Sequence, residues 1–210
     1  MQSNGLYKIK EIFGPTIEGE GSLAGTMVNF IRFSGCNMWD GRPETRAKSK
    51  CPYCDTDFFG GDKLTLDDIT ARLKALKSTS QWVTISGGEP TLQLDYRLVA
   101  HLHMLGYSIS IETNGTKQIE LPINHITCSP KVPREKMYLK KCDDLKLLYP
   151  HPNKQITPES FETFNAKTFF LQPVWDDNYK SNLQACLDYI YKKDGFWKLS
   201  IQTHKYIGVQ

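Results

Sequence analysis

Hydrophobic and polar residues alternate along much of this chain with the period of a β-strand. Such short runs, rich in β-branched and aromatic residues and bounded by glycine, proline or polar clusters, are typical of strands in a partly buried sheet. The pattern predicts strands over residues 6–13, 28–33, 82–86, 108–112, 126–129, 145–149, 168–172 and 197–202. A polar, glycine-rich turn, GPTIEGEGSLAG, follows the first of them.

Three other segments repeat their apolar residues with helical spacing. The first helix is expected to begin at the N-cap Thr65, with Asp68 completing a capping box, and the second to end at Gly106. A third helix is expected to be capped by Ser181, with Gln184 behind it. The buried residues predicted for the three helices are Leu66, Ile69, Leu73 and Leu76, then Leu94, Leu98, Val99, Leu102 and Leu105, then Leu183, Leu187 and Ile190.

Strands that alternate with helices indicate an α/β fold with a parallel sheet and helices outside it. The helices are fewer than the strands, so we expect a partial, pared-down β/α barrel. Such folds carry their chemistry on the loops after the carboxyl ends of the strands. Cys36, Gly87–Glu89, Glu112–Asn114, Ser129–Lys131 and Gln172–Pro173 all lie at or just after the end of a predicted strand.

Composition limits the classes of function. With 210 residues and a net charge of +3, the chain fits one domain, residues 1–210, with no charge excess that indicates nucleic acid or a membrane surface. The start lacks the apolar core of a signal peptide and no run approaches membrane-spanning length, so we expect a cytoplasmic protein. Six cysteines in that setting indicate free thiols.

Three of these cysteines, Cys36, Cys51 and Cys54, have the spacing C-x14-C-x2-C in an expanded loop over residues 36–54. The middle of this loop, DGRPETRAKSK, is expected to be a loop or a short exposed helix. A structural zinc site normally has four protein ligands, and the nearest histidines, His101 and His103, lie on a predicted helix. Three thiolates with one open position fit an iron-sulfur cluster that binds a small molecule, although a zinc-stabilised module stays a second interpretation.

The cysteine loop and the later Ser86-Gly87-Gly88-Glu89-Pro90 resemble the radical S-adenosylmethionine (SAM) enzymes, whose usual spacing is the shorter C-x3-C-x2-C. Further motifs in the same order are similar to the 7-carboxy-7-deazaguanine synthase family, in the branch with the C-x14-C-x2-C loop. They are EIFGPTIEGEGSLAG, IRFSGCN, CDT, SGGEP, IETNG, SPK, LKLL, LQP and SIQTHKY. A radical SAM activase of a glycyl-radical protein is the alternative within the superfamily, but that class keeps the short spacing and lacks TIEGEG and QTHKY.

The resemblance implies a radical lyase reaction. A [4Fe-4S] cluster on the three cysteines would bind and cleave SAM, and the resulting 5'-deoxyadenosyl radical would abstract hydrogen from 6-carboxy-5,6,7,8-tetrahydropterin. Ring contraction and loss of ammonia then give 7-carboxy-7-deazaguanine, the core of queuosine-type nucleosides. The resemblance also implies Mg²⁺, a homodimer and an external one-electron reductant of the flavodoxin or ferredoxin kind.

The resemblance assigns the site residues one by one. Cys36, Cys51 and Cys54 would hold the cluster, and Thr56 would bind Mg²⁺. The residues expected to contact SAM are Tyr53, Cys54, Asp55, Gly88, Ser129, Pro130, Lys131, Gln172, Pro173, Val174 and Trp175. The residues expected to contact the pterin are Ile17, Glu18, Gly19, Glu20, Arg32, Ser86, His204 and the terminal carboxylate of Gln210. Glu18 departs from the family, which commonly has glutamine there.

Overall fold

The computed structural model describes residues 5–210. Within them the strands are β1 Tyr7–Ile17, β2 Met27–Phe33, β3 Asp62–Leu64, β4 Trp82–Gly87, β5 Ser108–Thr113, β6 His125–Cys128, β7 Lys141–Tyr149, β8 Asn165–Pro173 and β9 Lys198–Leu199. The α-helices are α1 Leu66–Ala75, α2 Tyr96–Met104, α3 Tyr179–Lys192 and α4 Thr203–Ile207. Strands therefore outnumber helices in the described part of the chain, as predicted.

The chain divides into two compact units. The first unit comprises residues 5–17, 26–113 and 119–126, and the second comprises 18–25, 114–118 and 127–210. The prediction of one domain over residues 1–210 stays a prediction. Each unit is described by itself below.

In the first unit the strand order is β3-β1-β2-β4-β5. β2, β4 and β5 are parallel, as predicted, with Ile31 opposite Ile85 and Ile85 opposite Ile111. β1 is antiparallel to β2 and β3, and the prediction of an all-parallel sheet is wrong there. Two strands can be parallel only if a long crossover joins them, and residues 18–26 between β1 and β2 contain no such crossover helix.

β1 is also longer than predicted. It continues past Phe13 through Gly14 and Pro15 to Ile17, so the first part of the predicted turn is strand. A register shift between Phe13 and Thr16 accommodates these residues within the pairing to β2. A shift of this kind adds twist and lets a glycine-proline pair remain in an antiparallel ladder.

The first two helices follow the sequence pattern in their caps and central apolar residues, but the predicted core residue Leu105 is exposed, and Leu66, Leu76 and Leu94 are only half-buried. At α1, Thr65 accepts a hydrogen bond from the backbone N–H of Asp68 at 3.1 Å, and the Asp68 carboxylate accepts one from the N–H of Thr65 at 2.9 Å, which confirms the capping box. Ile69 and Leu73 are buried. α2 begins at Tyr96 rather than at Leu94, because the Asp95 carboxylate caps it by accepting from the N–H of Leu98.

In the second unit, β6 through its residues Thr127 and Cys128, β7, β8 and β9 are parallel neighbours in that order. α3 begins before the predicted cap Ser181, which is wrong as a cap. The Asp176 backbone and side chain instead accept from the N–H groups of Tyr179 and Asn178, which starts the helix earlier. Cys186 is buried on α3, whereas the predicted core residues Leu183, Leu187 and Ile190 are only half-buried.

The C-terminal segment differs most from the prediction. Only Lys198–Leu199 forms a strand, and residues 203–207 form helix α4 instead of following a strand that ends at Gln202. The N–H of Thr203 donates to the carbonyl of Gly19, and the N–H of Val209 donates to that of His204. These contacts stabilise one short turn of helix that an alternating pattern cannot reveal. None of the helices over residues 5–210 is long and apolar enough to cross a membrane.

The capping box gives a stability prediction. Replacing Thr65 by alanine removes the acceptor for the Asp68 N–H, which we expect to cost about 1 kcal/mol of unfolding free energy. The melting temperature of the protein should then fall by roughly 2–4 °C. Thr65→Ser keeps the hydroxyl and serves as the matched control in thermal unfolding. Equal melting temperatures for the alanine and serine variants would contradict this account of the cap.

Candidate active site

The expanded cysteine loop begins where β2 ends, since Cys36 follows Phe33 after two residues. Its middle forms a 3₁₀ helix, Pro43–Lys48, which confirms the prediction of a loop or short exposed helix. The Trp39 ring packs edge-on against Phe58 with 5.4 Å between centroids, and its N–H donates to the Thr45 hydroxyl at 3.0 Å. Trp39 therefore anchors the loop, through Thr45 within it and through Phe58 just after it.

The three cysteines differ in exposure. Cys51 is buried, and Cys36 and Cys54 are half-buried, with the Cys54 N–H donating to the Cys51 carbonyl at 3.2 Å. Burial raises the pKa of the Cys36 thiol, hydrogen bonds from the Met38 and Trp39 N–H groups oppose this, and the nearby Glu89 and Cys54 raise it further. Cys36 and Cys54 are thus within electrostatic range of each other.

Gly87, the last residue of β4, and Gly88 bring their turn against the start of the cysteine loop. The N–H of Gly88 donates to the carbonyl of Phe33 at 3.1 Å, and the N–H of Glu89 donates to that of Gly35 at 2.9 Å. A Cβ added at Gly88 would lie 2.1 Å from the Gly35 carbonyl oxygen and 3.0 Å from the Cys36 Cβ. The glycine is therefore required by packing of the protein against itself, in addition to any approach by a cofactor.

Glu89 is fully buried beneath this turn. One of its carboxylate oxygens accepts hydrogen bonds from the Thr91 N–H at 3.1 Å, the Thr91 hydroxyl at 2.6 Å and the Thr113 hydroxyl at 2.8 Å. A buried carboxylate is stable only with such donors. Glu89 therefore fixes the shape of the turn and connects it to the end of β5.

The chemistry of this loop fits an iron-sulfur cluster. Within residues 5–210, no three His, Cys, Asp or Glu side chains are grouped so as to hold a single metal ion. In a [4Fe-4S] cluster each cysteine thiolate binds a separate iron, and a fourth iron without a protein ligand can take a small molecule. Three cysteines from one loop, packed against a glycine turn that admits no side chain, supply that donor set.

A row of polar side chains crosses the parallel strands just before this loop. Arg32 on β2 is opposite Ser86 on β4, and the Ser86 hydroxyl donates to the Glu112 carboxylate on β5. On the other side, the Arg32 Nε donates to Glu11 on β1 at 2.7 Å, and the guanidinium lies over the Phe13 ring. Residues predicted to bind substrate, Arg32 and Ser86, are thus brought together with two carboxylates.

Tyr53, Asp55 and Thr56 surround Cys54 in the sequence and in space. Burial and the neighbouring Cys51 and Cys54 thiols raise the pKa of the Tyr53 hydroxyl, which therefore stays a hydrogen-bond donor. Asp55 is exposed, and the carbonyl of Thr56 accepts a weak hydrogen bond from the Cys54 thiol at 3.9 Å. Ile17, the last residue of β1, is half-buried opposite Met27.

In the second unit, the predicted residues Glu18, Gly19 and Glu20 lie in one tight segment. Glu18 and Gly19 are buried, and one Glu18 oxygen accepts from the N–H of Gly19 at 3.0 Å. Gly19 packs so closely on His204 that an added Cβ would lie 2.1 Å from its Nδ1. Glu20 forms an ion pair with Lys146 on β7. His204 lies in α4, after the end of the predicted strand over residues 197–202, and the structure places it against Gly19.

Ser129, Pro130 and Lys131 follow β6, as predicted. The Lys131 ammonium donates to the Ser129 hydroxyl at 2.8 Å, and Pro130 is buried. Next to them is His151, which the sequence did not single out. Burial lowers its pKa to about 4, with a further contribution from Lys131, so the His151 imidazole is neutral at physiological pH.

Gln172 and Pro173 are the last two residues of β8, and Val174 and Trp175 follow it. Gln172, Pro173 and Val174 are buried, and the Gln172 side-chain oxygen accepts from the Ser200 hydroxyl at 2.9 Å. Trp175 is 40% exposed and packs with Tyr179 and Tyr206, and the Lys205 ammonium lies over the Trp175 ring. Gln210, the last residue, is exposed after the end of α4.

Two charged residues of these clusters were missed at the level of the sequence. Glu11 lies in the predicted strand over residues 6–13, and only the β1–β2 register shows that its carboxylate is opposite Arg32. Lys146 stands in the run Leu145, Lys146, Leu147, Leu148, where a lysine inside an apolar strand is itself a signal of a buried ionic partner.

The contact at Gly88 gives a second prediction. Gly88→Ala places a methyl group against the Gly35 carbonyl, so we expect the start of the cysteine loop to be displaced and cluster loading to fall at least about threefold. Iron and acid-labile sulfide per chain, after anaerobic reconstitution, measure this. Gly106→Ala is the control: with φ at +88° it also strains the backbone, but it meets no neighbouring atom and lies outside the cysteine loop, so its cluster loading should be unchanged. Full loading of the Gly88→Ala protein would contradict the packing argument.

Comparisons with known proteins agree with this description. Residues 46–146 match the Radical SAM superfamily. Proteins named 7-carboxy-7-deazaguanine synthase from Caulobacter vibrioides and Bradyrhizobium diazoefficiens are 39% and 38% identical to this chain, over 97% of it and 99% of each relative. The Bacteroides thetaiotaomicron protein of the same name is 36% identical over 98% of this chain and all of its own length.

The fold has a solved counterpart as well. The crystal structure of QueE from Escherichia coli superimposes with a TM-score of 0.73, covering 95% of both chains at 24% sequence identity. This confirms the predicted fold class, a pared-down radical SAM α/β fold. The extent and level of identity to the named relatives show that the chain belongs to the 7-carboxy-7-deazaguanine synthase family of radical SAM enzymes.

Proposed function

We propose that this chain is a radical SAM lyase that converts 6-carboxy-5,6,7,8-tetrahydropterin to 7-carboxy-7-deazaguanine and ammonia, in the biosynthesis of queuosine and other 7-deazapurines. The observation that carries the proposal is the C-x14-C-x2-C loop placed directly after β2, against the Gly87-Gly88 turn, in a member of the synthase family. When bound, the [4Fe-4S] cluster and SAM supply the 5'-deoxyadenosyl radical that abstracts hydrogen from the substrate.

The protein's own residues hold and orient these groups. Cys36, Cys51 and Cys54 are the ligands that we assign to the cluster, and Tyr53 lies beside two of them as a neutral donor. Gly88 keeps the turn free of a side chain where it approaches Cys36. Cys51 is buried, whereas Cys36 and Cys54 are half-buried, so the cluster would lie at the edge of the protein interior, where a small molecule can reach its open iron.

Arg32 is the residue that we assign to the substrate carboxylate. Its contact with Glu11 uses Nε, so the edge formed by the two terminal nitrogens can pair with a second carboxylate. The Phe13 ring under the guanidinium and the Glu11 carboxylate fix its orientation before substrate binds. Ser86 and Glu112, next in the row, are polar groups in reach of the same bound molecule.

Glu18, Gly19 and Glu20 form the segment that we assign to the pterin, with His204 packed on Gly19. The Glu18 carboxylate is turned back onto the N–H groups of Gly19 and Glu20. One Glu18 oxygen is therefore engaged within the segment and helps to fix its backbone. A carboxylate in place of the family's usual amide is compatible with that arrangement, because either side chain offers an oxygen acceptor.

The finer assignments belong to the same proposal. They are Mg²⁺ on Thr56; SAM contacts from Asp55, Ser129, Pro130, Lys131, Gln172, Pro173, Val174 and Trp175; pterin contacts from Ile17 and the carboxylate of Gln210; a homodimer; a flavodoxin- or ferredoxin-like reductant; and a cytoplasmic location. Each of these stays a prediction. An oxygen ligand beside bound substrate and water is reasonable chemistry for Mg²⁺.

Product analysis tests the reaction. The anaerobically reconstituted protein, given dithionite, SAM and 6-carboxytetrahydropterin, should yield 5'-deoxyadenosine and 7-carboxy-7-deazaguanine by mass spectrometry. Cys54→Ala should abolish both products, because it removes a cluster ligand. Cys142→Ala, which removes a buried thiol outside the loop, is the control and should retain both. If 5'-deoxyadenosine forms without the deazapurine, the substrate assignment is wrong.

The role of Arg32 is tested by a charge-preserving substitution. Arg32→Lys keeps a cation but loses the planar fork, so KM for the pterin should rise at least about tenfold, a loss of about 1.4 kcal/mol. Release of 5'-deoxyadenosine without substrate should change little. Arg72→Lys is the matched control, since Arg72 also pairs with a carboxylate, that of Asp62 at 2.8 Å, but is exposed on α1. An unchanged KM in Arg32→Lys would exclude Arg32 as the carboxylate ligand.

A further inference from the structure

Lys146 is a buried cation inside an apolar strand of the second unit. Its neighbours in β7, Leu145 and Leu147, are fully buried, and the Lys146 side chain is only 6% exposed. Its ammonium pairs with the Glu20 carboxylate, which is 12% exposed. An ammonium removed from water is costly unless it is paired, so this pair must form whenever β7 is packed.

Lys146 interacts with the charge of a second carboxylate, Glu18, in addition to its ion pair with Glu20. Burial lowers the pKa of the Lys146 ammonium to about 8, and the negative charge of Glu18 opposes that shift. Asp144, two residues earlier on β7, accepts from the Ser22 N–H at 2.7 Å and the Ser22 hydroxyl at 2.6 Å. The Asp144 carboxylate is therefore satisfied by donors of Ser22. Lys146 compensates the charges of Glu18 and Glu20.

These contacts fix residues 18–22 at both ends. The N–H of Gly25 donates to the carbonyl of Glu18 at 2.8 Å, and the N–H of Gly21 donates to the Ser200 hydroxyl at 3.1 Å. Between them, Glu20 is held from β7 by Lys146. The Thr203 N–H also donates to the Gly19 carbonyl within the segment, and Lys146 is the residue of β7 that holds the Glu20 side chain.

We propose that Lys146 is a positioning residue of the pterin site, which holds the Glu18–Glu20 segment in its binding conformation by pairing with Glu20 and compensating Glu18. The proposal rests on the function proposed above, in which this segment binds the pterin. Lys146 need not touch the substrate. Without its ammonium, the Glu18 and Glu20 carboxylates repel each other and the segment between them no longer has one favoured arrangement.

A positioning role and a purely structural role predict different results. If Lys146 only stabilises the fold, its loss lowers the melting temperature and the yield of active protein, while the remaining molecules bind the pterin normally. If it positions the segment, affinity for the pterin falls in molecules that are folded and loaded with cluster. KM at full loading, and the rise in melting temperature caused by the pterin alone, distinguish the two cases.

The experiment uses Lys146→Met, with Lys141→Met as the matched control on the same strand, where Lys141 is exposed. For Lys146→Met we expect KM for 6-carboxytetrahydropterin to rise at least about tenfold, equal to about 1.4 kcal/mol, and the melting-temperature shift by the pterin to be lost. 5'-Deoxyadenosine release without substrate should stay within about twofold. Lys141→Met should behave as wild type in all three measurements.

A second variant keeps the test decisive if Lys146→Met folds poorly. Glu18→Gln combined with Lys146→Met removes one carboxylate together with the ammonium, so the repulsion is relieved. The KM of the double variant should rise at least about threefold less than the product of the increases measured in Glu18→Gln and in Lys146→Met. If Lys146→Met cannot be measured, the KM of the double variant should exceed that of Glu18→Gln by at most about threefold. Independent effects that multiply, a wild-type KM in Lys146→Met, or, where that variant cannot be measured, a rise of more than about threefold over Glu18→Gln, would overturn the proposal.

The outcomes also separate this proposal from the proposed function. If the wild-type protein makes no 7-carboxy-7-deazaguanine, the function is wrong and the role of Lys146 falls with it. If the wild type makes the product and Lys146→Met binds the pterin as tightly, the function stands and only the role of Lys146 is wrong.

Discussion

The site in the first unit depends on two backbone hydrogen bonds that join the turn after β4 to the end of β2. They run from Gly88 to Phe33 and from Glu89 to Gly35, and they leave no space for a Cβ at Gly88. The cysteine loop begins at the next residue, so its origin is set by sheet geometry. A long insertion between the first two cysteines is tolerated because loop closure costs little more for longer loops, while the anchors stay on the sheet.

The local features of this chain could be predicted from sequence because their causes are local. The capping box at Thr65 and the apolar faces of α1 and α2 depend on residues a few positions apart. The cysteine motif and the glycine turn are each defined by residues of one short segment of the sequence. Placement of these motifs after strands was correct for the same reason, since a strand and the loop that follows it are continuous.

Features that depend on distant contacts could not be predicted in this way. α4 forms where the Thr203 N–H donates to the carbonyl of Gly19. β1 pairs antiparallel with β2 and β3, and the residues of β1 alone do not reveal the direction of its neighbours. The steric need for glycine at position 88 requires knowledge that Gly35 lies against it. The pairing of Lys146 with Glu20 joins residues far apart in the chain, and the alternating pattern shows only that a lysine interrupts it.

The charged groups assigned to substrate share one physical property in each unit: a partner already holds them. Arg32 is held by Glu11 and Phe13, and Glu20 by Lys146. Ordering a charged side chain on binding costs conformational entropy and lowers the affinity. A side chain that is fixed in advance avoids this cost. The partner lowers the strength of each new contact, because part of the charge is already compensated. A radical reaction gains more from a substrate held in one fixed orientation than from a tightly bound substrate, so fixed side chains with weaker contacts suit it.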